Sequence, residues 1–122
     1  MEKVFDFNEF GICMNPNVQS FVSGKYRAMI ETAPIDGRWY YGCMLDTPTS
    51  GSGSGVSKDH TGGFDTEELA LAAVAKKSIE WFDEDTEWHK KAGKKRIVPQ
   101  FIYDELKKLL HPQPIQLSLF DF

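Results

Sequence analysis

From residue 64 onward the apolar positions return every three or four residues. Leu71, Val74, Ala75, Trp81 and Phe82 share one face with Ser78, while Glu67, Lys77, Glu80 and Glu84 fall off its centre. That period predicts an amphipathic helix. Asp65 stands where an N-cap is expected, and Glu68 three residues on would close a capping box, with Phe64 and Leu69 as the flanking apolar staple. The pattern carries the helix toward Lys91 and stops it near Gly93. A second helix has Pro99 near its first turn, buries Ile102, Leu106, Leu109 and Leu110, and must end before Pro112.

Upstream the period shortens. Tyr26 to Glu31 reads as a strand, Asp36-Gly37 supplies hairpin-turn chemistry, and Arg38 to Leu45, with Trp39, Tyr40 and Tyr41, reads as the partner strand. Residues 47–55, Thr-Pro-Thr-Ser-Gly-Ser-Gly-Ser-Gly, predict a flexible loop, and a third short strand follows over 56–60. Residues 1–19 give a weak signal. Phe5, Phe7 and Phe10 suit a short strand or an apolar arm, and Asn15-Pro16-Asn17 marks a turn. The expected fold class is α+β: a small antiparallel β-β-β sheet packed against one long helix, a second C-terminal helix and an extended C-terminal tail. One domain over 1–110 would carry the tail 111–122.

At 122 residues and 13.9 kDa, with 41% hydrophobic and 26% charged residues, the composition is that of an ordinary globular domain. No apolar run approaches the length of a membrane span. Met1 to Asp6 lacks the basic start and apolar stretch of a signal peptide, so the expected compartment is the cytoplasm. Cys13 and Cys43 lie far apart in apolar segments and read as buried thiols. A net charge of −4 argues against a protein that coats DNA uniformly, and leaves room for a local basic patch.

Candidate chemistry is sparse. The Gly51 to Gly55 run lacks the lysine and the following helix of a phosphate loop. Asp59, His60, Asp65, Asp83, Glu84, Asp85, Glu87 and His89 are potential metal ligands without a metal-site spacing. Asp85 and His89, four apart on a helix, read as a surface pair. Glu31, Asp36 and Asp46 fall near strand ends, too generic a set for a nuclease-like metal triad. No nucleophile elbow is present. No enzyme activity, cofactor or metal is expected.

Lys90, Lys91, Lys94, Lys95 and Arg96 place five positive charges in seven residues. They are candidates for nucleic-acid contact, with Trp88 and Tyr40 as stacking faces. The plainer explanation is a solvated turn that balances the acidic run Glu80 to Glu87 and complements a helix C-terminus.

The tail carries the most specific signal. After His111-Pro112-Gln113-Pro114, a chain end bearing Leu117, Leu119, Phe120 and Phe122 must bury apolar surface, on its own domain or on a partner. Ile115, Leu117 and Leu119 alternate with Gln116, Ser118 and Phe120, which also suits a C-terminal strand. Gln116-Leu117-Ser118-Leu119-Phe120 closely resembles the pentapeptide by which bacterial DNA-metabolism proteins dock on the sliding clamp, the beta subunit of the replicative polymerase. The resemblance implies that Gln116 makes polar contacts at the pocket edge and Leu117 takes a shallow subsite. Ser118 would face outward, with Leu119 and Phe120 in the deep apolar subsite.

A second resemblance covers Lys25 to Phe82. Tyr26 to Glu31, Asp36-Gly37, Trp39-Tyr40-Tyr41, Gly63 to Ala70 and the helix ending in Trp81-Phe82 resemble HicB-type antitoxins. It implies a β-β-β-α core, from which the Gly/Ser insertion and the intervening Leu69 depart. The leading expectation is a non-enzymatic adaptor in bacterial, phage or plasmid DNA replication or repair, with a second partner, nucleic acid or protein, on the body. The alternative is a HicB-like regulator with the tail as a structural strand; a third is a small nuclease-like enzyme. Monomer and dimer both remain open, since an exposed hairpin edge allows sheet extension.

Overall fold

A computed structural model describes residues 3–58 and 63–110. Four strands, β1 (Asn17–Ser23), β2 (Tyr26–Ile35), β3 (Arg38–Asp46) and β4 (Gly51–Ser54), precede two helices, α1 (Glu67–Lys91) and α2 (Gln100–Leu109). The strands form one antiparallel sheet in the order β1-β2-β3-β4, and both helices lie on one of its faces. The fold is α+β. No helix among the described residues is long and apolar enough to cross a membrane.

The β2–β3 hairpin turns where Asp-Gly is placed. Asp36 and Gly37 have φ of 52° and 80°, both left-handed, as a two-residue turn matched to sheet twist requires. Period-two alternation then sorts the strands into two faces. Ala28 and Ile30 of β2 and Cys43 and Leu45 of β3 face the helices, where they meet Val74, Ala75 and Phe82 of α1, the linker residue Val98, and Ile102 and Leu106 of α2. Each large side chain fully buried here contributes about 1.5–3 kcal/mol. Ser78 is also buried in α1, and its hydroxyl is satisfied by donating to the Val74 carbonyl at 2.7 Å. Leu109 and Leu110 are half-buried against the same core.

Three expectations need correction. The first concerns the Gly/Ser stretch: Gly51–Ser54 is an edge strand paired to β3, with Ser54 opposite Cys43 and Gly51 opposite Asp46. Beyond it the chain crosses the sheet so closely that a Cβ on Gly42 would lie 2.5 Å from the Ser54 carbonyl oxygen. The second concerns the strand placed over 56–60. Val56 belongs to no strand; it is buried with Cys13 and Ala33, and its carbonyl accepts from the Cys13 amide at 2.9 Å. Residues 59 and 60 lie outside the described residues. The third concerns the start of α1.

Thr66, not Asp65, caps α1, its hydroxyl accepting from the Leu69 amide at 3.2 Å. Asp65 pairs instead with Arg38 at 3.2 Å. Phe64 bridges to Trp39 through two backbone hydrogen bonds of 2.8 Å, and Leu69 is exposed, so the staple does not form. Glu67 fixes the helix start to the sheet, accepting from Thr32 at 2.7 Å and Asn17 at 3.0 Å. Thr32 is buried, so that bond also satisfies its hydroxyl.

The N-terminal residues form an arm over the other sheet face. Phe7 and Cys13 pair in an isolated bridge, and Asn8 accepts from the amides of Phe10 and Ile12 at 2.8 and 3.0 Å. Both cysteines are free and buried, and burial pushes both thiols up.

Candidate functional site

The basic block sits where α1 turns toward α2. Gly93, with φ of 81°, closes α1 in a Schellman arrangement: the Gly93 amide donates to the Lys90 carbonyl at 3.1 Å and the Lys94 amide to the His89 carbonyl at 2.9 Å. That turn sends Lys94 and Lys95 past the helix end.

The structure divides the five cations. Lys90, Lys91, Lys94 and Lys95 are exposed. Arg96 turns inward, its side chain only 14% exposed, and donates to the Thr47 hydroxyl at 3.2 Å while lying 3.9 Å from the Asp85 carboxylate. Asp85 in turn accepts from the Ser50 hydroxyl at 3.2 Å. His89 is buried; its Nδ1 lies 2.8 Å from the Asp85 backbone carbonyl, to which it donates, and 3.5 Å from the side chain of the same residue. The Asp85–His89 pair, read from sequence as a surface contact, is thus internal. With Arg96 it ties the β3–β4 connection to the end of α1.

Between the end of α1 and the linker to α2 lies a groove of about 460 Å³, lined by Thr86, Lys90 and residues 93–97, Arg96 among them. Ile97 is 70% exposed. Trp88, 65% exposed, stands one helical turn before Lys91, and its ring meets that of His89 edge-on with centroids 4.9 Å apart. Neither apolar surface contributes to the core cluster.

Other sequence candidates do not converge. Tyr40 is half-buried against the Cys13, Ala33 and Val56 cluster, on the sheet face opposite the helices, because it pairs with Ala33. It is not an exposed stacking platform. Asp36 is at the β2–β3 turn, paired with Lys58 at 3.5 Å. Asp46 is held by Arg27 at 2.7 Å. Glu31 pairs in register with Gly42, four positions from Asp46 along β3, about 13 Å at strand spacing. Burial raises the Glu31 carboxyl above its ordinary value. Among the described residues no three His, Cys, Asp or Glu side chains approach closely enough to hold a metal ion.

Two more grooves flank β4. One, of about 580 Å³, runs over Glu31, Met44 and the glycines of 51–55; the other, of about 410 Å³, separates β4 from Lys77, Glu80, Trp81 and Glu84. The smaller one is also lined by Cys43, whose thiol is pushed up by burial, and by Ser52 and Ser54. Gln116, Leu117, Ser118, Leu119 and Phe120 lie outside the described residues, as do Asp59 and His60.

The inward turn of Arg96 had no local signal, because its partners Thr47 and Asp85 are 49 and 11 residues away in sequence. No protein-family model, no curated protein and no solved structure matches the chain.

Proposed function

We propose that the chain is a non-enzymatic adaptor of bacterial, phage or plasmid DNA replication or repair. It works in the cytoplasm and docks on the replicative sliding clamp through Gln116 to Phe120. The observation that carries this reading is the sequence Gln-Leu-Ser-Leu-Phe behind His-Pro-Gln-Pro, in which all four informative positions of the clamp pentapeptide match. Pro112 and Pro114 cannot continue α2. Leu106, Leu109 and Leu110 hold the end of α2 on the core, so the tail departs from a fixed point of the body.

Leu119 and Phe120 supply the apolar anchor. Burial of Leu117, Leu119 and Phe120 contributes about 1.5–3 kcal/mol each before the cost of ordering the tail is subtracted. Tethering then raises the local concentration of whatever the body holds at the clamp, without new contacts.

The test is titration of a purified bacterial sliding clamp with the full chain and with a Leu119→Ala/Phe120→Ala variant. Micromolar binding that falls by about a hundredfold in a variant of unchanged melting temperature supports the proposal. Absence of wild-type binding, with a variant that melts lower, makes the tail a structural strand and brings the HicB-like alternative forward.

A further inference from the structure

We propose that the lysine lobe between α1 and α2 binds single-stranded nucleic acid, which names a partner for the body. The claim does not depend on clamp docking; the adaptor reading supplies only its setting.

Three observations meet at this lobe. First, the side chains of Lys90, Lys91, Lys94 and Lys95 make no ion pair or hydrogen bond with any described residue, although the acidic run from Glu80 to Glu87 lies on the same helix. Mutual neutralisation, the plain explanation of the sequence, is therefore not what the side chains do. Complementing the helix dipole accounts for Lys90 and Lys91 in the last turn of α1. It does not account for Lys94 and Lys95, which lie beyond the helix.

Second, the lobe is built rather than loose. The Schellman closure at Gly93 and the inward Arg96, anchored on Thr47 and Asp85, fix its backbone on both sides of the lysines. Cations held on a fixed frame lose less freedom when a phosphate chain binds.

Third, the lobe pairs charge with exposed apolar surface. Ile97 stands among Lys90, Lys94 and Lys95 in the groove, and Trp88, exposed on α1 one turn before Lys91, lies outside the groove lining. Bases splayed from a single strand offer flat apolar faces between phosphates, and such faces stack on aromatic side chains at about 1–3 kcal/mol each. A duplex hides those faces and would engage only the lysines. The chain as a whole carries −4, so binding must be local and strongly weakened by salt.

The test is fluorescence anisotropy of a labelled oligothymidine of about 20 nucleotides and of a duplex of equal length, with the full chain and no clamp present. The single strand is expected to bind at low salt, with a log–log salt slope of up to about −3, near −0.7 per phosphate neutralised. Lys90→Glu/Lys94→Glu/Lys95→Glu should weaken it at least about tenfold and flatten the slope. Trp88→Ala/Ile97→Ser should weaken it several-fold with the slope unchanged. All of these positions are exposed, so far-ultraviolet circular dichroism and melting temperature should match wild type.

The Leu119→Ala/Phe120→Ala variant should bind the single strand as wild type does, which separates failure of this proposal from failure of clamp docking. No wild-type binding at low salt, an unaffected lysine variant, or a duplex bound as tightly as the single strand would each overturn it.

Discussion

The two faces of the sheet are built from alternate residues of the same strands and meet different fates. Against the helices, Ala28, Ile30, Cys43 and Leu45 are buried in one continuous core with α1 and α2. Among the described residues, only one end of the other face is covered, where the N-terminal arm and Val56 close over Ala33 and Tyr40. The rest shows Val18 at 50% and Val22 at 57% exposure, with Met44 also exposed, and a cross-strand pair between Arg27 and Asp46. An alternating pattern assigns residues to faces. It does not say what covers each face; that depends on segments distant in sequence.

The contrast can be broken hardest on the helix face. Phe82→Ala removes a side chain with no exposure, in ring contact with Trp81 and Tyr103, and should cost about 3–5 kcal/mol in denaturant unfolding. Val22→Ala on the open face should stay within about 0.5 kcal/mol of wild type. Comparable losses at the two positions would mean that the open face is covered in solution.

Gly42→Ala sharpens the comparison where the second face is closed. The added methyl meets the backbone of Ser54, Gly55 and Val56, which cannot move without disturbing β4 and the Val56 contacts. A loss of about 1–3 kcal/mol is expected, in a position that pattern alone would call tolerant. An unchanged unfolding midpoint would show that the 54–56 crossing yields freely.

Glu31 gives the smallest effect and a signed one. It sits between the covered and open parts of the second face, and burial raises its carboxyl above the ordinary 4.5. The folded chain therefore holds this proton more tightly than the unfolded chain. Stability falls as pH rises through the interval just above 4.5, and below it the effect vanishes. Glu31→Gln should remove that fall, so the variant gains on wild type as pH rises through the interval. Parallel stability profiles for the two proteins would contradict this.

Legibility in the sequence followed how local the determining interactions are. The α1 and α2 faces and the Asp36-Gly37 hairpin were readable because a few neighbouring residues specify them. The cap of α1 slipped by one residue, since Asp65 and Thr66 both suit an N-cap and the choice went to the one whose neighbour Glu67 reaches Thr32 and Asn17. Strand β1 was missed because Gln19 and Ser20 interrupt any apolar alternation at this edge. Strand β4 was missed because glycine and serine carry no apolar pattern; its pairing is made by backbone groups against β3, and the absence of a Cβ on Gly42 permits the close crossing of residues 54–56.

The candidate site divided along the same line. A lysine cluster is visible as composition, whereas the separation of Arg96 from the four exposed lysines depends on Thr47, Ser50 and Asp85 meeting in space. Tyr40 shows the converse, an aromatic that alternation placed outward and that the arm from a weakly patterned segment covered.

The measurement that bears most directly on the adaptor account is amide hydrogen exchange of the full chain with and without a purified bacterial sliding clamp. The account predicts that the clamp slows exchange across residues 115–120 and leaves β1 to β4 and the core face of α1 unchanged. Exchange in 115–120 that ignores the clamp, or a clamp effect centred on the sheet instead, would contradict it.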